Sequence, residues 1–267
     1  MEIMVSLLGD DVELPYIPEI SQLHSGIELG GYGLGGVKSE QEWKKRFLKH
    51  QVIRKDFKGN IALHGPFIGI EYDHEDCLIR EAIEKRMNML FEAAIQLNAS
   101  RVILHSGFTS EIEQFNLTDS WFKRNCSFWR NEIARWETSN IKIVLENITE
   151  KSPDILIKLI DEVNNPFLGL CFDIGHANIF SNIEPSVWVK LMGARLQHIH
   201  LHDNDRKADR HWRTGKGIID FKTFYNAVEQ NSPKATISIE IVEKIDIVME
   251  DLRKLVERFV GKINPNS

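Results

Sequence analysis

The stretch "IKIVLENITEKSPDILIKLIDEVNNPFLGLCFDIGHA" (141–177) decides the fold. An apolar run, "IKIVLE" (141–146), ends on Glu146. A helical pattern follows, "SPDILIKLIDEV", with Ser152 as its cap and Pro153 at its first position. A second apolar run, "LGLCFD" (168–173), ends on Asp173. Both runs are rich in Ile, Val and Leu, without the alternation of a half-exposed strand, as in strands covered on both faces. The unit is strand, helix, strand.

The same unit recurs in both directions. Further strand-like runs are "IMVSLL" (3–8), "GIEL" (26–29), "IALH" (61–64), "RVILH" (101–105), "LQHIHL" (196–201) and "TISIEI" (236–241). "EDCLIREAIEKRMNMLFEAAIQL" carries apolar residues three and four apart: Leu78, Ile79, Ala82, Ile83, Met87, Leu90, Phe91, Ala94 and Ile95. "DFKTFYNAV" opens on Asp220 as a cap. Eight strand–helix repeats in 267 residues predict an α/β protein, one (β/α)8 TIM barrel domain over residues 1–267. A doubly wound open sheet has a similar alternation, but eight regular units favour closure.

In such a barrel the site lies at the C-terminal ends of the strands. Strands three to six end in His64, His105, Glu146 and Asp173, with His176 three residues further on. Strand seven carries His200 near its end and strand eight carries Glu240. Six consecutive strands thus put a His, Asp or Glu at one rim, the donor types of zinc, manganese and related divalent ions. The run "HIHLHDNDRKADRH" (198–211) crowds four histidines and three aspartates into fourteen residues. His198, His200 and His202 share one strand face. His198 is expected to lie deeper as a buried polar residue, and His202 to be exposed or to support a ligand. Asp209 and His211 follow in the loop, close enough to grip one ion.

These motifs resemble the xylose-isomerase-like TIM barrel superfamily, which holds sugar and sugar-phosphate isomerases and epimerases and the endonuclease IV family. The resemblance rests on "LHGPF", "ILHSG", "VLEN", "CFDIGHA", "HLHDND", "DRHWRTGKG" and "SIEI", in that order, and covers nearly the whole chain. It implies one divalent ion on Glu146, Asp173, His200 and Glu240 in the epimerases, with Glu146 and Glu240 as the catalytic proton carriers. In endonuclease IV it implies three zinc ions: His64, His105 and Glu146 for one, Glu146, Asp173, His200 and Glu240 for the next, and His176, Asp209 and His211 for the third. All nine positions are matched. Phe67 stands where the endonucleases carry a tyrosine, "HSG" lacks their proline, and "DIGH" replaces their "DTCH".

Charge separates the two chemistries. One ion among three carboxylates leaves a formal charge of about −1, suited to polarising a carbonyl beside a hydroxyl. Three ions among four carboxylates leave about +2, suited to a phosphate and to phosphoester hydrolysis. The expected activity is a metal-dependent isomerase or epimerase of a small sugar or sugar phosphate, acting by proton transfer beside a carbonyl. The alternative is a zinc phosphodiesterase that cuts abasic DNA, with DNA as its partner. A non-catalytic barrel that binds sugar or metal is a third reading. His64, His176, Trp212, Arg213 and Lys216 are candidate substrate contacts, the last two through a phosphate group.

Other features point away from other classes. A net charge of −6 does not favour general binding to nucleic acid or anionic membrane. No apolar run is long enough to span a membrane, and "MEIMVSLLGDD" lacks the marks of a signal peptide. Cys77, Cys126 and Cys171 lack CxxC spacing and read as reduced thiols in a cytoplasmic protein. "GGYGLGG" (30–36) contains G-x-G-x-x-G, but no acidic residue follows the next strand as a dinucleotide site requires. It reads as a flexible loop over the mouth, with Tyr32 as a substrate contact. The basic segment 43–58 reads as a solvated helix face. Trp121, Trp129 and Trp136 fall at helical spacing, in the core or at an interface, and a homo-oligomer is left open.

Overall fold

A computed structural model describes residues 1–33, 39–67 and 69–261. Eight parallel strands close into a barrel in chain order: β1 Ile3–Leu7, β2 Gly26–Leu29, β3 Ile61–His64, β4 Arg101–His105, β5 Lys142–Glu146, β6 Leu168–Asp173, β7 Leu196–Leu201 and β8 Thr236–Ile239. β8 pairs with β1 through Ile3↔Ile237, Met4↔Ser238 and Val5↔Ile239, which closes the ring. The (β/α)8 barrel expected from the repeats is therefore the fold. β1, β5 and β8 are slightly shorter than their apolar runs, so Glu240 lies just past β8.

Outside the ring lie α1 Ile17–Gln22, α2 Glu40–Asp56, α3 Cys77–Gln96, α4 Ser110–Gln114, α5 Thr118–Thr138, α6 Asp154–Val163, α7 Ile174–Phe180, α8 Pro185–Met192, α9 Phe221–Asn231 and α10 Ile245–Phe259. Asp220 caps α9 by accepting from the Thr223 N–H, as its sequence suggests. α6 begins at Asp154, one residue later than expected, and Ser152 Oγ still accepts from the Asp154 N–H at 3.4 Å. In α3 the inward face is Ile83, Met87, Leu90, Ala93 and Ala94. Leu78, Ile79 and Ile95, expected inside, are exposed at the two ends of the helix. Trp121, Trp129 and Trp136 are all buried.

The two-residue strand period sorts side chains into two layers. Ile3, Val5, Ile27, Leu29, Ile61, Leu63, Val102, Leu104, Ile143 and Leu145 join the large core between barrel and helices. Met4, Ala62, Ile103, Val144 and Cys171 form a separate small cluster inside the ring. Glu28, His64, His105, Glu146, His198 and His200 have the inward parity, so the upper half of the barrel interior is polar.

Tyr32 does not reach the mouth. Its side chain is fully buried against Trp43, and its hydroxyl donates to His50 Nδ1 at 2.7 Å. The His50 Nε2–H is used on the Leu8 carbonyl at 3.1 Å. The substrate contact expected of Tyr32 is thus replaced by a packing role. The remainder of the expected glycine loop, 34–36, lies outside the described residues. α2 buries only Trp43, His50 and Ile53, so its basic residues do form a solvated face.

Candidate metal centre

Glu146 is the hub. Its carboxylate, 1% exposed, ends β5 with four imidazoles around it. His64 Nε2 lies 3.3 Å away, His105 Nε2 3.7 Å, His176 Nδ1 3.4 Å and His200 Nδ1 3.4 Å. Strand register does this, since His105 pairs with Glu146 and Asp173 with His200 on adjacent strands. Glu240 Oε2 lies 3.3 Å from His200 Nδ1, and Asp173 Oδ2 lies 3.8 Å from it. His200 Nδ1 therefore faces Glu146, Asp173 and Glu240 together.

Asp209 makes a second focus. Its Oδ2 lies 2.8 Å from His211 Nε2 and 3.4 Å from His176 Nε2. Backbone carbonyls fix how these rings point. The Nδ1–H groups of His64, His176 and His211 donate to the carbonyls of Gly65, Asn147 and Glu240 at 3.1, 3.0 and 2.8 Å. Each ring then presents Nε2, the orientation in which a second hydrogen bond holds a metal-binding imidazole. The geometry brings together all nine residues that the sequence points to.

Loop seven is shaped by Asp203 rather than by its cations. Asp203 Oδ2 accepts from Gly215 and Gly217 N–H at 3.0 and 2.8 Å, and Oδ1 accepts from Asn204 N–H at 2.8 Å. A backbone bridge joins Asp203 to Trp212, which sets His211 beside Glu240. Trp212 lies at this loop with Lys216 and Arg210 over its ring. Arg213 is held by Asp251 and, at 3.2 Å, by Glu250; Lys216 pairs with Glu243 at 2.8 Å. Among the described residues, neither cation makes a hydrogen bond or ion pair with the histidine cluster.

His202 is buried rather than exposed. Its Nε2–H donates to both Asp173 oxygens, at 3.1 and 3.0 Å, and its ring stacks on His211 at 4.0 Å. The stretch 198–211 is therefore crowded because one strand and its loop serve three jobs: a deep hydrogen-bond chain, the central cluster and the Asp209 focus.

Two residues escaped the sequence reading. Glu28, in β2, is fully buried and faces His198 and His200. A lone glutamate at an inward position of an apolar strand was the available signal. Cys171 also lies close, its thiol kept protonated by burial, with a ligand atom near those of Glu146 and His200.

Electrostatics follow the geometry. Burial pushes the Glu146 carboxyl up, but His200 and His105, with a hydrogen bond from His176, hold it well below the usual range. Burial opposes charge on His64, yet Glu146 lifts it to about 9. His176 and His200 are likewise raised against burial, the first by Asp173 and Asp209 and the second by Glu240, Glu28 and Glu146. Burial wins at His105, which falls to about 4. The anionic field that keeps protons on these rings is a field that attracts a divalent cation.

Three buried polar atoms supply the test of fit. Glu146 Oε2, His200 Nδ1 and His202 Nδ1 have no hydrogen-bond partner in the protein. Buried polar atoms are rarely left so. Three candidate donor groups, His64–His105–Glu146, Glu146–Asp173–His176 and His202–His211–Glu240, each converge to within 4.8 Å. Nitrogen and carboxylate donors at this density suit zinc or manganese.

The family described as "Xylose isomerase-like TIM barrel" matches residues 26–258. The chain belongs to that family. It is 27% identical over 225 residues to an uncharacterized protein of Methanocaldococcus jannaschii, covering 79% of this chain and 76% of that one. It is 26% identical over 250 residues to a probable endonuclease 4 of Mycoplasma mobile, covering 81% and 80%. Among solved structures it is similar to a D-tagatose 3-epimerase-like protein, with a TM-score of 0.76, 22% identity, and coverage of 99% and 100%. Family membership and barrel together make the strand-end cluster the candidate functional centre.

Proposed function

We propose that this family member is a divalent-metal-dependent isomerase or epimerase of a small sugar, moving a proton at the carbon beside a carbonyl. The observation that carries the reading is that Glu146 and Glu240 both approach one ring nitrogen, His200 Nδ1, at 3.4 and 3.3 Å. Glu146, Asp173, His200 and Glu240 would hold the cation. Bound there, a divalent ion supplies Lewis-acid polarisation of the carbonyl and its neighbouring hydroxyl.

The chain's own groups do the rest. Glu240, with 22% of its side chain exposed, takes the carbon-bound proton, and Glu146, 1% exposed and itself ionised, passes back a proton drawn from His176, whose Nδ1 lies 3.4 Å from it. His64 and His176 offer hydrogen bonds to sugar hydroxyls, and Trp212 covers the mouth. The similarity to an epimerase-like protein supports this reading. So do the cations of loop seven. Arg210 faces Asp205, and Arg213 and Lys216, the two expected to hold a phosphate, meet acids instead; Arg206 meets only neutral oxygens and Lys207 makes no ion pair among the described residues. An unphosphorylated sugar is the favoured substrate.

The test is solvent deuterium entering a ketose or aldose at the carbon beside its carbonyl. Uptake that falls about 10²–10⁴-fold in Glu240→Gln supports the proposal. No uptake across a broad sugar panel, in protein loaded with zinc or manganese, removes it.

A second reading rests on the Asp209 focus. With His176 and His211 it supplies a third group of donors, and the Mycoplasma mobile relative points to a zinc phosphodiesterase acting on DNA. Nicking of an abasic duplex, weakening as salt rises, with about three zincs per chain, would favour it.

A further inference from the structure

Inside the barrel, below the metal donors, lies a chain of buried polar groups with no evident part in proton transfer. Arg101 Nη1 donates to Thr236 Oγ1 at 2.5 Å and to the Gln197 carbonyl at 3.0 Å. Thr236 Oγ1 bonds His198 Nδ1. His198 Nε2 lies 3.0 Å from Glu28 Oε2, and His200 Nε2 lies 3.1 Å from Glu28 Oε1. Glu28, His198 and His200 are all 0% exposed.

Burial pushes the Glu28 carboxyl up, but His200 and His198 hold it well below the usual range, so it is ionised, and this constrains the protons around it. An ionised carboxylate accepts and cannot donate. Both imidazoles must therefore carry hydrogen on Nε2. His198 then has a lone pair on Nδ1, which the Thr236 hydroxyl fills by donating, while Thr236 accepts from Arg101. Each link from Arg101 Nη1 through Thr236 and His198 to Glu28 then pairs a donor with an acceptor, while Arg101 Nε stays without a partner in the protein. At the upper end, His200 is left with Nδ1 toward Glu146, Asp173 and Glu240, and that atom has no partner in the protein.

His200 differs here from its neighbours. His64, His176 and His211 are pinned through Nδ1–H by backbone carbonyls and present Nε2. His200 is pinned the other way round, and by a carboxylate. We infer that Glu28 is a positioning residue, held by His198, Thr236 and Arg101, which locks His200 in the Nε2–H tautomer so that Nδ1 is the atom offered to the metal. The inference rests on the metal-site reading above. A carboxylate behind a ligating imidazole also makes the ring a stronger donor.

Glutamine at position 28 breaks the pattern with little change of shape. Its amide offers one acceptor and one donor to two N–H groups, so one ring must move its proton to Nδ1. Thr236→Val tests the far end of the chain without altering volume much, by removing the hydroxyl that His198 Nδ1 needs.

The experiment measures zinc affinity of the full chain by chelator competition, with ¹⁵N histidine shifts on the same samples. Glu28→Gln is expected to weaken zinc binding about 10–100-fold, and Thr236→Val to weaken it less, in the same direction. The wild-type shifts should show hydrogen on His200 Nε2, and Glu28→Gln should blur that assignment. Unchanged zinc affinity in folded Glu28→Gln overturns the inference; if that variant does not fold, unchanged affinity in Thr236→Val does so. A wild-type chain that takes up no zinc or manganese overturns the metal reading instead. The lock is then judged on zinc-free protein, at a pH where His200 is neutral: hydrogen on Nε2 sustains it and hydrogen on Nδ1 ends it.

Discussion

The ring of His202 occupies the space in which a side chain on Gly175 would begin. A Cβ built there would lie 1.9 Å from His202 Cε1. Gly175 is one of the two residues, with Ile174, at which "DIGH" departs from the endonuclease pattern "DTCH", and the space it leaves lets His202 grip both oxygens of Asp173. Gly175→Ala should push His202 away, destabilise the fold by about 1–3 kcal/mol and weaken metal binding. His202→Ala in the same chain should recover part of the stability and none of the metal affinity. Denaturant unfolding of both single variants and the double variant checks this; simple additivity would show that the two positions do not compete for space.

Glu150 gives a pH dependence separate from the ligands. Burial pushes its carboxyl up to about 7, although Ser106 Oγ and the Ile148 N–H both bond it. In the unfolded chain it has its ordinary value of 4.5. Between these values the folded chain holds a proton that the unfolded chain has released. Stability from this group is therefore present at low pH and is lost as pH rises from 4.5 towards 7, at up to about 1.4 kcal/mol per unit. Glu150→Gln should remove that slope. The comparison is between unfolding free energies of the two proteins at several pH values, so that the raised histidines, common to both, cancel. Parallel curves would show that Glu150 ionises normally.

The barrel was legible because its signals are local: apolar runs, caps and strand-end polar residues all lie within single strand–helix units. His64, His105, Glu146 and Asp173 were legible as a cluster because a strand's last residue falls at the rim wherever the ring closes, whereas His176, Asp209 and His211 lie beyond strand ends and were reached by spacing and by the family resemblance. Glu28 was not legible, because none of the nine donors stands near it in sequence and its partners lie 170 and 172 positions away. Of the two expectations for His202, exposure fails and support of Asp173 holds, because the room left by Gly175 allows the ring inside. Leu78 and Ile79 fit the helical period of α3 but fall in its first turn, beyond the reach of the barrel wall. Period alone does not say where a helix stops touching its support.

Zinc should stabilise the protein through its folded state alone. At a free concentration a hundredfold above the dissociation constant, the gain is about 2.7 kcal/mol. A rise in Tm on adding zinc, reversed by chelator, is the expected result. His200→Ala should abolish most of that rise, since it removes the nitrogen that faces three carboxylates at once. Asp209→Asn should leave a one-ion stabilisation largely intact. If Asp209→Asn abolishes the rise as His200→Ala does, the ions bind as one cluster, and the phosphodiesterase reading gains ground.

Arg213 is where substrate binding and stability part. Its guanidinium meets Asp251, which is 4% exposed, and Glu250 on α10. The other cation at Asp251 is Lys254, at 3.9 Å, and that lysine is already 2.5 Å from Glu250. Arg213→Ala leaves a nearly buried carboxylate without its main donor, so a loss of about 1–3 kcal/mol is expected. Lys216→Ala breaks a more exposed pair and should cost about 1 kcal/mol or less. With an unphosphorylated sugar as substrate, Arg213→Ala should lower Tm and leave KM where it was. Parallel measurements with the sugar and its phosphate ester decide the point: a KM that rises for the ester alone would mean that Arg213 leaves Asp251 to take the phosphate, and the substrate class would move to sugar phosphates.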